Sequence, residues 1–490
     1  MKRRFIGSLI EFAVVLLISS TVNPISSSAQ SALSWSAAQR IRGYANDSDP
    51  PFLVADQNKT VHAFNSQWVG GDLAVLYSQW SPGKSWTTPV DILLSPKARQ
   101  ATVQGIFLDS KGILHLIFFG GTEFDADIYY SRAPAVSAAN AGSWSPPKSI
   151  GTYAGKLISA SLVGDNQGDL FVVYSGNRDG NGLYAVQSSD GGASWSSATT
   201  IFLTDSTSLW AYAVKTALDP QGTLHAVWTV KNRLGLGEAV YYAHLEAGQK
   251  QWTLPMTLQT VRGGDYQADW ASIIYYKNEL FVLYDYSSPS HRWMRRSKDG
   301  GRTWTDPVIA FTSRGEYGHP VLLIDGSNTL HAILGNRTDD ERLHGMWHTT
   351  WRGDHWDAVD PVVSGPMSPQ FDPNRPQAVV SQGNIILVTW RTDPGLTPNG
   401  IWFSYATLDA PEWPVVPLPT AVATTAPTVT PIKVTSIEPT PSATARPVTG
   451  LQTNSPPTPI ADTSPATGVV LGILPAGFLL LVVIVMRRLR

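Results

Sequence analysis

A phrase of about fifty residues recurs seven times along this chain, and that repetition limits the fold more tightly than any other feature. Each copy has a polar turn with Gly or Asn, a run of alternating apolar residues, a second such run, and a short loop that closes on Trp. The first runs are Thr60–Phe64, Ile113–Ile117, Asp169–Val173, Thr223–Val227, Glu279–Leu283, Thr329–Ile333 and Asn384–Val388. The closing residues are Trp86, Trp144, Trp195, Trp252, Trp304, Trp356 and Trp413. A repeat of this length fits one four-stranded propeller blade, and its strands are rich in Val, Ile, Tyr and Trp with no competing helical period. The expected fold is therefore all-β, a β-propeller of seven four-stranded blades, with six blades and an appended unit as the alternative. Trp35–Ile41 parallels Trp144–Ile150. It is read as the outer strand of the last blade, given by the N-terminal segment to close the ring.

The two ends predict a topology. Lys2, Arg3 and Arg4 precede an apolar stretch, Phe5–Ile18, and then Ser27-Ser28-Ala29, the layout of a secretory signal peptide over residues 1–29. Glu11 interrupts the stretch, so an uncleaved signal anchor is the alternative. Gly468–Met486 is an uncharged apolar run followed by Arg487, Arg488 and Arg490. At ~1.5 Å per residue it is long enough to cross a ~30 Å hydrocarbon core, and the arginines place its far end in the cytoplasm. Between propeller and span the chain is almost entirely Pro, Thr, Ala, Val and Ser, a composition that cannot bury enough apolar surface to order itself. The expected organisation is thus a signal peptide (1–29), propeller (30–413), extended stalk (414–466) and single transmembrane anchor with a basic tail (467–490), with the propeller extracellular. Ser464-Pro465-Ala466-Thr467-Gly468 also resembles a sortase cleavage signal whose leading Leu is Ser. Wall attachment is the alternative to a plain membrane anchor.

With 43% hydrophobic residues, 18 Trp and a net charge of -2, the chain can bury a large core and gives no support to nucleic-acid binding. It has no Cys, which excludes disulfides and thiolate metal sites. No cofactor and no metal are expected. His62, His115, His225 and His331 share one repeat position mid-strand, without a carboxylate or second His at metal-ligand spacing, and are read as packing residues.

Two of the closing loops are nearly identical. Ser188-Ser189-Asp190-Gly191-Gly192-Ala193-Ser194-Trp195 and Ser297-Lys298-Asp299-Gly300-Gly301-Arg302-Thr303-Trp304 both fit Ser-x-Asp-x-Gly-x-Ser/Thr-Trp. Ser188, Asp190, Gly192, Trp195 and their counterparts Ser297, Asp299, Gly301, Trp304 have structural chemistry: a carboxylate that accepts turn N–H groups, a glycine for positive φ, and an indole to fill the gap between blades. Degenerate copies end at Trp86, Trp144 and Trp252. The repeats resemble the Asp-box (BNR-repeat) proteins of the sialidase superfamily, from about Trp35 to Trp413.

In a blade with strands A to D, the boxes occupy C–D, so the opposite face is built from B–C loops and from the segments entering each A strand. Arg178, Arg233, Arg337 and Arg391 fall in the B–C loops, and Arg42, Arg314 and Arg375 in the entering segments. Guanidiniums gathered on one face suit bidentate binding of a carboxylate, sulfate or phosphate, the alternative being pairing with neighbouring aspartates. The resemblance implies three arginines on a substrate carboxylate, a Tyr nucleophile with a carboxylate partner, and an Asp acid/base. Tyr317 or Tyr212 would serve as nucleophile, Glu316 or Asp269 as its partner, and Asp49 as acid/base. Arg42, Arg178, Arg233, Arg314, Arg337 and Arg391 would bind ligand, and Trp68, Trp210, Trp270 and Trp293 could stack on a sugar. The chain departs from that superfamily in its blade number and in lacking a Phe/Tyr-Arg-Ile-Pro signature, Arg40-Ile41-Arg42 being the nearest fragment. Three functions remain open: a cell-surface, sialidase-like exo-glycosidase acting on an acidic sugar of an extracellular glycan or glycoprotein, a non-catalytic carbohydrate- or protein-binding adhesion module, and a structural surface-layer component, which would leave the face without a concave pocket.

Overall fold

The computed structural model describes residues 33–122, 125–153, 159–262, 267–286, 291–314, 318–338, 340–368, 370–392 and 399–415. The expected signal peptide, stalk and transmembrane span lie outside the described residues, which contain no helix long and apolar enough to cross a membrane.

Seven four-stranded antiparallel sheets follow one another along the chain. Their A strands are Phe52–Ala55, Ala101–Leu108, Ala160–Gly164, Trp210–Leu218, Ala268–Tyr276, Val321–Ile324 and Pro373–Ser381, for blades 1 to 7. Each A strand touches the A strands of both neighbouring blades, all the way round the ring. The blade number is seven.

The ring closes as the N-terminal segment suggests. Gln39–Arg40 pairs with Ile401–Thr407, the C strand of blade 7, in the register Gln39–Phe403 and Arg40–Trp402. Ser36 extends the seam: its N–H donates to the Tyr405 carbonyl at 2.8 Å and its Oγ accepts from the Tyr405 N–H at 3.0 Å. One reading of the repeats changes here. Because the outer strand of blade 7 comes from the N-terminal end, its closing Trp is Trp35, which packs edge-on against His348 of blade 6. Trp413 instead lies 42% exposed over Gly383, in the A–B turn of blade 7.

The core is distributed as seven separate interblade clusters, not as one central mass. Each buries the inward residues of two facing sheets, the interdigitation expected of stacked sheets. At each junction the recurring histidines do more than pack. His62, His115, His225 and His331 each place Nε2 3.1 to 3.3 Å from an aspartate six residues earlier, respectively Asp56, Asp109, Asp219 and Asp325. A carboxylate partner therefore exists, in the A–B turn, where the sequence was read as offering none. The same aspartates also accept two backbone N–H groups of that turn, as at Asp219 from Gln221 and Thr223. Among the described residues no three His, Asp or Glu side chains are grouped to hold a metal.

The two Ser-x-Asp loops obey a shared geometry. The Asp190 carboxylate accepts from Ser188 Oγ and the Ser194 N–H, both at 2.8 Å, and from Ser194 Oγ at 2.5 Å. Asp299 does the same with Ser297, the Thr303 N–H and the Thr303 hydroxyl. These bonds hold both carboxyls down at about 2. The closing indoles Trp195 and Trp304 stand edge-on to Tyr130 and Tyr242 of the preceding blades at 5.1 and 4.9 Å.

Candidate ligand site on the axial face

A strands line the axis, and in blades 4, 5 and 7 they carry a bulge near the start, between Tyr212 and Lys215, Asp269 and Ser272, and Asn374 and Gln377. The first extra residue in each is Ala213, Trp270 or Arg375, with φ of 55°, 52° and 53°. None is glycine, so each holds a left-handed conformation that costs about 1–3 kcal/mol. Three equivalent strained bulges around one axis turn side chains that regular strands would bury between blades.

The space they border is a cavity of about 510 Å³ with wall residues from all seven blades and their entering segments. Trp68, Tyr212 and Trp270 give it aromatic surface; Gln67, Gln104, Gln377, Ser159 and His319 give it hydrogen-bonding groups; Lys215, Arg375 and Asp49 give it charge. Trp68 stands at the end of the B strand of blade 1 and is 56% exposed.

Behind this wall lies a fixed pair of charges. Lys231 Nζ is 2.7 Å from the Asp269 carboxylate, both side chains being almost fully buried. The same ammonium sits 4.5 Å over the Tyr212 ring and 4.3 Å over the Trp270 ring, a favourable cation–π sandwich. Burial raises the Asp269 carboxyl pKa while Lys231 opposes the rise. Burial, and then the Asp269 charge, raise the pKa of Tyr212. A phenolate is thus disfavoured at Tyr212, and Asp269 is engaged by Lys231. His319 lies edge-on to Trp270, and its Nδ1–H donates to the Ala271 carbonyl at 2.8 Å. Burial and the nearby cations Lys215, Lys231 and Arg292 hold it neutral.

Lys215 is different. It lies on the A strand of blade 4 just after the bulge, and burial pulls its ammonium down to about 8. No carboxylate among the described residues pairs with it, and none of their hydrogen bonds involves its Nζ. It is a cation turned into the cavity without a counterion. At the rim, Asp49 accepts from Arg375 at 2.6 Å and from Arg391 at 3.1 Å, and Arg391 also donates to the Asp47 carbonyl.

The residues expected from sequence are dispersed. Asp49 and Tyr212 line the cavity and Asp269 stands behind it, whereas Glu316 and Tyr317 lie outside the described residues. Of the arginines singled out for ligand, Arg391 reaches Asp49 at the rim. Arg337 is paired with buried Asp372 at 2.6 Å, and Arg314 stacks 4.5 Å over Trp347. Arg178 donates to the Ala198 carbonyl beside Asp179, and Arg42 and Arg233 are exposed away from the cavity wall. Arg375 is the one arginine on the wall among the described residues. Trp68 and Trp270 line the cavity, Trp293 packs on Tyr286 inside blade 5, and Trp210 begins the A strand of blade 4 outside the wall. Sequence reasoning missed Lys215 and Lys231. Their signal was a single lysine in a strand with no other Lys, Arg, Asp or Glu, Trp210–Leu218 and Leu224–Lys231.

Neither a family model nor a curated protein sequence matches the chain. Among solved structures it is similar to an ulvan lyase of polysaccharide lyase family PL25, at 10% identity and TM-score 0.48, covering 76% of this chain and 97% of that one. It is also similar to the α-L-arabinofuranosidase arb93a of Fusarium graminearum, at 11% identity and TM-score 0.47 over 76% and 98%. A third likeness is to the NanB sialidase of Streptococcus pneumoniae, at 13% identity and TM-score 0.41 over 77% and 70%.

Proposed function

We propose that this protein is a glycan-directed propeller whose axial cavity receives an acidic sugar residue of an extracellular glycan or glycoprotein. The observation that carries the reading is Lys215, a cation without a counterion among the described residues, in a cavity whose other charges, Arg375 and Asp49, are paired with each other at the rim and whose remaining wall offers aromatic rings, amides and hydroxyls. Aromatic faces stack on the C–H faces of a pyranose, amides and hydroxyls bond its hydroxyls, and a desolvated ammonium selects a carboxylate or sulfate.

Binding is the better supported activity. Hydrolysis through Tyr212 and Asp269 would need a tyrosine made more acidic by its surroundings, and the surroundings act the other way. Hydrolysis through Glu316 and Tyr317 is the second reading.

Display at a cell surface belongs to this reading on the strength of the signal peptide, stalk and span expected from sequence. Trp413 donates its N–H to Gln382 in the A–B turn of blade 7, so the described chain leaves from the face that carries the Ser-x-Asp loops. The axial cavity opens on the other face.

The test is calorimetric titration of the propeller region with N-acetylneuraminic acid, glucuronic acid and galactose, beside turnover of a fluorogenic sialoside. An acidic sugar should bind, galactose should bind at least tenfold more weakly, and Lys215→Met should weaken the acidic sugar at least tenfold. Turnover lost in Tyr317→Phe would establish the hydrolytic reading. Binding of neither acid, or binding indifferent to Lys215→Met, would remove the proposal.

A further inference from the structure

One C-strand position can be followed through the whole ring. Opposite Phe64, Ile117, Val227, Leu283, Ile333 and Leu387 of the neighbouring B strands stand Tyr77, Tyr130, Tyr242, Met294, His348 and Tyr405. Each is a long side chain at the junction with the next blade. In blade 3 the residue opposite Val173 is Ala185.

The truncation leaves space. Two adjoining cavities, of about 430 and about 370 Å³, share Phe171, Gln187, Ser196, Leu245 and Lys250 at the junction of blades 3 and 4. Ala185, Leu224 and Trp252 complete the apolar floor, and Asp169 and Glu246 stand on the rim. Blade 3 has also lost the histidine, Phe171 standing at its position.

We propose that this cleft is a second ligand site, separate from the axial cavity, and that it takes the pyranose ring of a neutral sugar. The missing phenol ring leaves room for a six-membered ring. Trp252 and Phe171 offer apolar surface to the C–H face of a pyranose, while Gln187, Ser196, Asp169 and Glu246 can bond its hydroxyls. Glu246 is paired with Arg302 at 2.9 Å and Asp169 offsets the Lys250 ammonium, so the cleft has no excess positive charge to hold an acid, and the ligand class differs from that of the axial cavity. The cleft lies on the face with the Ser-x-Asp loops, and the inference does not depend on the reading of the other face.

The experiment is saturation-transfer NMR on the purified protein with the methyl pyranosides of glucose, galactose and mannose, in wild type, Ala185→Tyr and Lys215→Met. At least one glycoside should receive saturation in wild type and in Lys215→Met, and lose it in Ala185→Tyr, which refills the junction as in blades 2 and 4. No transfer to any of the three in wild type, or transfer that persists in a folded Ala185→Tyr, would overturn the proposal. Should Ala185→Tyr not fold, the rim variant Gln187→Ala/Glu246→Ala leaves the floor untouched. It should weaken transfer at least threefold, and unchanged transfer would overturn the proposal equally.

Discussion

The hydroxyl of Tyr242 in blade 4 lies 3.3 Å from the carbonyl oxygen of Gly300, inside the Ser-x-Asp loop of blade 5. It is also 2.7 Å from His225 Nδ1, whose Nε2 faces Asp219. With the carboxylate at Nε2 the imidazole proton resides there, so Nδ1 is an acceptor and the single phenol proton is shared between it and Gly300. Burial lowers the His225 pKa to about 4, which keeps the ring neutral at physiological pH. Tyr130 repeats the arrangement between His115 and Gly191. A turn in one blade is thus tied to a loop in the next through two rings.

Tyr242→Phe removes the shared proton and leaves His225 Nδ1 buried without a donor. It is expected to cost about 1–3 kcal/mol in urea unfolding. Tyr242→Ala should cost more, about 3–5 kcal/mol, because it opens at this junction the kind of space that exists beside Ala185.

Gly300 and Gly301 separate two effects of a methyl group. Both have positive φ, 69° and 87°. A Cβ on Gly300 meets only Arg302 Nη1 at 4.0 Å, whereas one on Gly301 would collide with the Tyr242 hydroxyl. Gly300→Ala is therefore expected to cost about 1 kcal/mol of backbone strain. Gly301→Ala should cost clearly more, and Gly301→Ala/Tyr242→Phe should recover part of the difference, as a double-mutant unfolding cycle would show.

The loop carboxyls set an acid limit. Asp190 and Asp299 titrate at about 2 in the folded protein against 3.8 for a free aspartate. A depressed carboxyl contributes stability above the unfolded value and loses it as pH falls through the folded one. Thermal unfolding should steepen between pH 4 and 2, and Asp190→Asn/Asp299→Asn should flatten that part of the profile while lowering stability at pH 7.

The blade count and the closing strand were legible because each depends on a local pattern repeated in register. The reason for the second loop glycine was not, since the group it avoids, Tyr130 or Tyr242, belongs to the preceding blade. The aspartate six residues before each histidine was visible in sequence, but it mattered as a turn acceptor and not at a metal-ligand spacing. Least legible were the axial bulges. Ala213, Trp270 and Arg375 adopt positive φ without being glycine, so nothing in composition marks them, and the cavity they open could not be drawn from the arginines alone. Counting one closing Trp per repeat likewise misassigned Trp413, because the last blade borrows its outer strand and its Trp35 from the other end of the chain.

That borrowed strand is held by few bonds. A chain beginning at Tyr44 lacks Ser36, Gln39 and Arg40 and leaves the C strand of blade 7 as an open edge. Its Tm is expected to fall by more than about 5 °C, with association visible on size exclusion. A peptide of residues 33–43 added in trans should restore both.

Lys215 should reveal the cost of keeping a cation ready for a ligand. Its folded value, about 8, lies below the 10.5 of a free lysine, so the native state disfavours its charge. The penalty is fully present below pH 8 and is relieved as pH rises from 8 to 10.5, because the folded protein releases that proton first. Lys215→Met is therefore expected to raise Tm at pH 7 and to remove the stability gained between pH 8 and 10.5. An anionic ligand acts in the opposite sense, since it stabilises the ammonium and is bound only while the ammonium persists. Acidic-sugar affinity in the wild type should fall as pH passes 8, while neutral-sugar binding in the cleft between blades 3 and 4 should not follow that titration. Calorimetry at pH 6.5, 8 and 9.5 would check both. A variant more stable than wild type yet unable to hold the acid would mark Lys215 as a residue kept for its ligand and not for the fold.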